Sequence, residues 1–251
     1  MREKIDFTRI IGTGAQAKVY EVDGYAIKVF NQGYDKKHAF YEAWINSIIE
    51  SSGIPTAKNY EVISINGQSA IKMDYIKGKT LQHMILQDKD KTMFYIEKMI
   101  DLQIEIHSKH VQLPLTMKSR LTNRIENNKF LNDDQRRKLL NRLLELPHGN
   151  SICHGDYHGY NIMIEEEGYK IIDWIDVTEG CPEGDVCRTY ILYHFYEPKL
   201  AEMYLECYCE KKHIEKSKVL NWMPVVGAAR LLENNGENKE EVFQWIEKIN
   251  D

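Results

Sequence analysis

No stretch of the chain approaches the roughly 18 consecutive apolar residues that a membrane-spanning helix requires. The opening MREKIDFTRI is charged where a secretory signal would carry an apolar core, so the expectation is a cytoplasmic protein with no membrane partner. Long runs of lysine and arginine are missing too. Acidic residues outnumber basic ones, 38 to 33, for a net charge of −5, which gives no electrostatic reason to expect nucleic acid. Cysteine is scarce: Cys153, Cys181, Cys187, Cys207 and Cys209 form an odd set without a CxxC pair, which suits reduced thiols better than a disulfide framework. The set Cys153, His154, His158 and Cys181 lacks the knuckle spacing of a zinc site. Internal repeats and flexible linkers are not found either.

What is present is an ordinary globular composition, 43% hydrophobic and 28% charged in 251 residues. That length can bury a substantial core, in one large domain or in two lobes of one functional unit. The first third reads as strands joined by tight turns. VYEV and YAIKVF flank Asp23-Gly24, and YEVISI and QSAIKMDYI flank Asn66-Gly67; both dipeptides accept the positive φ of two-residue hairpin turns, so two antiparallel hairpins are predicted. Between them the spacing of Tyr41, Trp44, Ile45, Ile48 and Ile49 predicts a helix over about 36–52, with Glu42 at the edge of its apolar face. From about residue 80 the pattern turns helical, with Met93, Ile96, Ile100, Ile104 and His107 on one stripe. After the break at Pro147-His148-Gly149-Asn150 come a short strand, a polar turn and a hairpin around Glu167-Gly168, then helices over about 184–249. The lobe boundary is expected at the KGK stretch, 77–79, dividing 1–76 from 77–251.

Chemistry gathers in three places. Gly12 and Gly14, in IGTGAQAKVY, lie between two strand-like segments, where glycine lets backbone N–H groups approach phosphate oxygens. The loop lacks the strand-to-helix context of a Rossmann fingerprint and the Gly-Lys-Ser/Thr of a P-loop. Lys28 follows one hairpin turn later on an apolar strand; such a lysine either alternates out to solvent or faces a cleft with a counter-charge, which Glu42 can supply. The third place is SICHGDYHGYNIMI, with Asp156 and Asn161 five residues apart and Asp173 twelve further on, at the end of YKII. An aspartate that accepts a hydroxyl proton, together with an Asn/Asp pair offering hard oxygen ligands, is what magnesium-assisted phosphoryl transfer requires.

At this point the chain resembles the aminoglycoside phosphotransferase/choline kinase group of protein-kinase-like enzymes. The resemblance rests on the IGTGAQAKVY loop, Lys28, Glu42, the hinge-like KMDYIKG, HGDYHGYNIMI, IIDW and the aspartate of GDVCRTY, in the family's order from residue 11 to 190. Ala17 replaces the loop's third glycine, His-Gly-Asp stands where protein kinases carry His-Arg-Asp, DWI stands for Asp-Phe-Gly, and no Ala-Pro-Glu follows. These departures favour small-molecule over protein acceptors. The resemblance implies an α+β bilobal fold, with a small antiparallel sheet and one helix in the N-lobe and a larger, mainly helical C-lobe. It implies γ-phosphoryl transfer from ATP or GTP with Mg2+ to a hydroxyl of a small molecule, which can be cationic. Asp156 would take the hydroxyl proton, Asn161 and Asp173 would hold magnesium, Lys28 would contact the α/β-phosphates and Glu42 would hold Lys28. Met73, with the Asp74 carbonyl and Ile76 amide, would meet the base. His154 is read as bracing the turn, His107 as a core residue and Asp185 as a brace of the catalytic loop; His158 is left open, and Tyr157, Tyr160 and Trp174 read as packing or as a cation-binding wall. Glu179 and Glu183 are candidates for a cationic acceptor. Aminoglycosides, aminoalcohols, sugars and macrolides all stay open, as does oligomeric state; the alternative from another class is a catalytically silent nucleotide-binding module that acts through partner proteins.

Overall fold

The computed structural model describes residues 9–233 and 239–249. The charged opening stretch through residue 8, and part of the helical region expected over 184–249, lie outside them. The chain divides into two compact units: one runs to His83 and takes in Tyr160–Ile175, and the other comprises Met84–Gly159 and the chain from Asp176 onward.

The first unit is built on an antiparallel sheet of β1 (Arg9–Thr13), β2 (Ala17–Val22), β3 (Tyr25–Phe30), β4 (Asn59–Ile65) and β5 (Gln68–Asp74), in the order β1-β2-β3-β5-β4. Its two hairpins turn at Asp23-Gly24 and Asn66-Gly67, and all four residues have the positive φ that this turn type needs. Helix α1 (Lys36–Ser51) starts where the Asp35 carboxylate accepts the Lys37 N–H at 3.0 Å. Ala39, Ile45 and Ile49 are its buried residues. Trp44, read as part of the apolar face, is exposed instead, because it lies to one side of the Ile45–Ile49 stripe. Ala39 joins Ala17, Phe30 and Ile71 in the core of this unit. Strand β6 (Lys79–Thr80) pairs with β8 (Ile162–Glu165), which pairs in turn with β9 (Gly168–Ile171). In that hairpin Glu165 stands opposite Gly168, so the turn residues are Glu166 and Glu167.

The second unit is mainly helical: α3 (Thr92–His107), α4 (Met117–Glu126), α5 (Asp133–Glu145), α6 (Pro182–Tyr196), α7 (Pro198–Lys212), α8 (Lys216–Leu220), α9 (Met223–Arg230) and α10 (Lys239–Glu247). Helix α2 (Leu81–Gln87) precedes them in the chain. Capping boxes start α4 at Thr116 and α5 at Asn132. The buried face of α3 holds Tyr95, Ile96, Met99, Ile100, Gln103, Ile106 and His107, whereas Met93, assigned to that stripe from the sequence, is exposed. Two short strands, β7 (Ser151–Cys153) and β10 (Thr178–Gly180), pair antiparallel on either side of the polar turn and the first unit's hairpin. The architecture is the α+β arrangement expected, an antiparallel sheet with one helix followed by a mainly helical part. Among the described residues no helix is long and apolar enough to cross a membrane.

Candidate active site

The first unit contains a cavity of about 690 Å³. Strand alternation places Ala26 and Lys28 of β3 on its wall, so the lysine is not turned to solvent. Across from it, α1 presents Glu42, and the Lys28 Nζ lies 2.5 Å from Glu42 Oε1, with side-chain exposures of 19% and 13%. Burial is the strongest influence on Lys28 and pulls its pKa down, yet the Glu42 and Asp173 carboxylates outweigh it and raise the amine above its ordinary value. Burial also pushes the Glu42 carboxyl up, against the pull of Lys28.

Gly12, Gly14, Met73, Asp74, Ile76, Asn161 and Asp173 line the same cavity. The glycine loop is set by a bulge in β1 between Ile10 and Gly12 and by the Gly14 N–H donating to the Ala17 carbonyl at 2.9 Å. Ala17, standing for the third glycine, is buried and opens β2 opposite Phe30; a methyl group there serves the sheet core. Asn161 and Asp173 come together because the Ile162–Ile171 pair of the β8/β9 ladder continues outward, with the Ile172 N–H donating to the Asn161 carbonyl at 3.0 Å. Asp173 has φ 65°, a left-handed conformation uncommon for a residue other than glycine and one that clusters at functional sites. Its neighbour Trp174 is buried; the indole N–H is shared between the Thr56 hydroxyl and the Ile171 carbonyl, both at 3.1 Å, and the Thr56 hydroxyl donates to Asn46 of α1 at 3.3 Å.

Asp156 belongs to the second unit and is not among the residues lining that cavity. The turn that carries it is held from several sides. The Asp156 N–H donates to His154 Nδ1 at 3.2 Å, and the Gly155 N–H donates to Asp185 Oδ1 at 2.7 Å. Asp185, its side chain fully buried, also meets His107 Nε2 at 3.0 Å and accepts from Gln103 Nε2 at 3.1 Å. Burial alone would raise the Asp185 carboxyl, but the His107 ring and the Gly155 amide outweigh it and hold the group below the ordinary range. Gly155 has φ 80°, and a Cβ there would meet the Asp176 carbonyl oxygen at 2.2 Å, which is why glycine stands between His154 and Asp156. On Asp156 itself burial works upward, yet the His158 and Arg188 side chains outweigh it and hold the carboxyl well below its usual range. His158 Nε2 lies 3.4 Å from one oxygen and Arg188 Nη2 3.2 Å from the other.

Residues 8–220 match the profile of the phosphotransferase enzyme family. The chain belongs to that family. It is accordingly a small-molecule kinase, a phosphotransferase whose fold recurs in solved structures of low sequence identity. A thermostable mutant of aminoglycoside phosphotransferase APH(4)-Ia, in ternary complex with AMP-PNP and hygromycin B, superposes with a TM-score of 0.70 at 14% identity, over 99% of this chain and 94% of that one. LicA in complex with AMP gives a TM-score of 0.69 at 15% identity, over 100% and 94%, and choline kinase LicA from Streptococcus pneumoniae gives 0.64 at 14%, over 98% and 94%. No curated protein is significantly similar in sequence.

In this phosphotransferase several residues around the candidate site are singled out by none of the sequence motifs. Arg188 stands three residues after Asp185 on α6, a spacing that turns both toward one side of the helix. Thr56 and Asn46 had no motif at all. Tyr157 and Trp174 are packed in the interior, the Tyr157 hydroxyl donating to the Met99 carbonyl at 2.7 Å, while Tyr160 is exposed on the cavity rim. Among the described residues no group of three or more His, Cys, Asp or Glu side chains is placed to hold a metal ion.

Proposed function

We propose that this phosphotransferase moves the γ-phosphoryl group of a nucleoside triphosphate, ATP or GTP, to a hydroxyl of a small molecule. The observation that carries the reading is the gathering of nine residues, distant in sequence, around one cavity of about 690 Å³, a volume suited to a nucleotide-sized ligand. Lys28, kept charged and fixed by Glu42, contacts the α/β-phosphates, and the Gly12–Gly14 loop covers them with backbone donors. Met73 and the main chain of Asp74 and Ile76 meet the base. Complexes of the structural neighbours with AMP-PNP and AMP support nucleotide as the occupant.

A magnesium ion fits the donors present. The Asn161 amide oxygen and the Asp173 carboxylate are hard oxygen donors lining the same cavity as Lys28, whose ammonium is paired with Glu42. When bound there, the ion would neutralise charge on the phosphates. Asp156, five residues before Asn161, orients the acceptor hydroxyl and receives its proton late, which suits a carboxylate of low basicity and a loose transition state.

For the acceptor, one structural neighbour's complex with hygromycin B and another neighbour's being a choline kinase support an amino-bearing alcohol or sugar, with Glu179 and Glu183 as the carboxylates to meet its cation. The test is nucleoside diphosphate release from magnesium-ATP and magnesium-GTP across aminoglycosides, aminoalcohols, sugars and macrolides, with Asp156→Asn as control. Stimulation by one acceptor, reduced by about 10²- to 10⁴-fold in the variant, is expected. Magnesium-dependent nucleotide binding with no acceptor turnover would replace this reading with a silent module that acts on partner proteins.

A further inference from the structure

The guanidinium of Arg188 reaches three partners from α6. Nε donates to the Gly155 carbonyl at 2.7 Å, Nη2 to Asp156 Oδ1 at 3.2 Å and Nη1 to Glu233 Oε2 at 3.1 Å. Its side chain is 12% exposed. Glu233 is in turn gripped by Arg124 Nη1 of α4 at 2.5 Å and lies 3.2 Å from Arg230 Nη1 of α9. Three arginines from three helices therefore converge on one carboxylate, and the middle one extends past it to the backbone and side chain of the turn that bears Asp156.

We infer that Arg188 is a positioning residue for phosphoryl transfer, holding the Asp156 carboxylate in its reactive orientation while Glu233 holds Arg188. The inference rests on the assignment of Asp156 as the residue that receives the acceptor proton. Gly155 cannot bear a side chain where it stands, so no side chain at that position can brace the Asp156 carboxylate. A planar fork is suited to the task because it engages a carbonyl and a carboxylate at once; an ammonium on a flexible stem is a single point. Fixing one oxygen of Asp156 through Arg188 leaves the other toward His158, so the carboxylate plane is set from both sides. Glu233 matters because a long arginine side chain left unanchored would sample many rotamers, and because a second carboxylate offsets part of the positive charge pressed on Asp156.

Two measurements on the full chain test this. The first is steady-state ADP release from magnesium-ATP with choline, hygromycin B and water as acceptors. The second is titration of the Asp156 carboxyl by carbon NMR on aspartate-labelled protein, assigned by its loss in Asp156→Asn. The charged and titratable groups facing this carboxyl are His154, His158 and Arg188. Arg188→Met is expected to lower kcat by about 100-fold, the size of effect produced by a misplacement near 1 Å. The KM for ATP should change little, and the Asp156 midpoint should move upward. Arg188→Lys should keep the midpoint low, since the charge remains, without restoring kcat, since the fork is gone; this split separates positioning from simple structural support. If Arg188→Met fails to fold, Arg188→Lys decides by itself, and full kcat in that variant overturns the inference. An unchanged kcat in Arg188→Met does the same. Should Asp156→Asn keep full activity, the assignment beneath both claims fails; loss of activity in Asp156→Asn alongside unimpaired Arg188 variants removes the inference and leaves the assignment standing.

Discussion

The indole N–H of Trp174 donates to the Thr56 hydroxyl at 3.1 Å, and that hydroxyl donates to Asn46 on α1. The residue after Asp173 is thereby tied to the helix that carries Glu42, and the left-handed Asp173 is held between a ladder on one side and this relay on the other. Trp174→Phe keeps most of the apolar volume but leaves the Thr56 oxygen and the Ile171 carbonyl without the indole donor. A loss of about 1–3 kcal/mol in unfolding free energy is expected from an orphaned buried group, read by urea denaturation. A weaker magnesium-nucleotide affinity should accompany it.

Lys28 and Glu42 offer a sharper contrast. Lys28→Met removes the proposed phosphate contact and leaves a buried carboxylate, whereas Glu42→Gln keeps the ammonium and a hydrogen-bond acceptor beside it. We expect kcat/KM to fall by about 10²- to 10³-fold in the first and less in the second. Equal losses would mean that the pair acts as a structural tie alone.

At Gly155 the backbone has no room to give. Alanine would have to adopt φ 80° and bring a methyl within 2.2 Å of the Asp176 carbonyl. Gly155→Ala should lose more than about 1 kcal/mol of stability and most of its turnover, because the Asp156 turn must shift. Nucleotide binding should be retained, since the cavity lining comes from other residues.

The depressed Asp185 carboxyl ties stability to pH in a defined direction. Its folded pKa lies below the unfolded value of about 3.9, so its contribution is fully present above that pH and is lost as pH falls through the folded value. Asp156 and Glu233 are depressed too and act in the same sense. The difference between wild type and Asp185→Asn therefore isolates Asp185. Urea unfolding from pH 7 to pH 3 should show the variant less stable at neutral pH, by about 1.5–3 kcal/mol for hydrogen bonds to a charged group. The gap should narrow as the solution is acidified; a constant gap would refute the linkage.

The buried thiols supply an independent check on the fold. All five cysteines are buried, and burial, with the Glu183 carboxylate alongside, pushes Cys181 up to about 12. Native protein at pH 8 should resist alkylation by iodoacetamide and take up five groups in denaturant, counted by mass spectrometry.

Some of this was legible from the amino-acid sequence because the physics is local. Asp23-Gly24 and Asn66-Gly67 specify hairpin turns through their tolerance of positive φ, and that tolerance belongs to the dipeptides themselves. Alternation on β3 limited Lys28 to two faces, and the five- and twelve-residue spacings of Asp156, Asn161 and Asp173 put two carboxylates and an amide on one strand-turn-hairpin. Other features were set by contacts between residues far apart in the chain. Periodicity alone placed Trp44 and Met93 on buried faces, and the structure exposes both, because a helix buries only the arc that meets a neighbour. The hairpin of residues 160–175 joins the unit formed by the first 83 residues, which no reading along the chain separates from its flanks. Arg188, Glu233, Thr56 and Asn46 stand out only through the atoms brought against them, since an arginine on a helix or a threonine in a connection carries the same sequence signal whether it faces water or a buried partner. The sequence by itself determined the turns, the strand faces and the set of polar groups; tertiary packing decided which of them line the cavity of the first unit and which arginine stands behind Asp156, because those depend on distances that no local preference encodes.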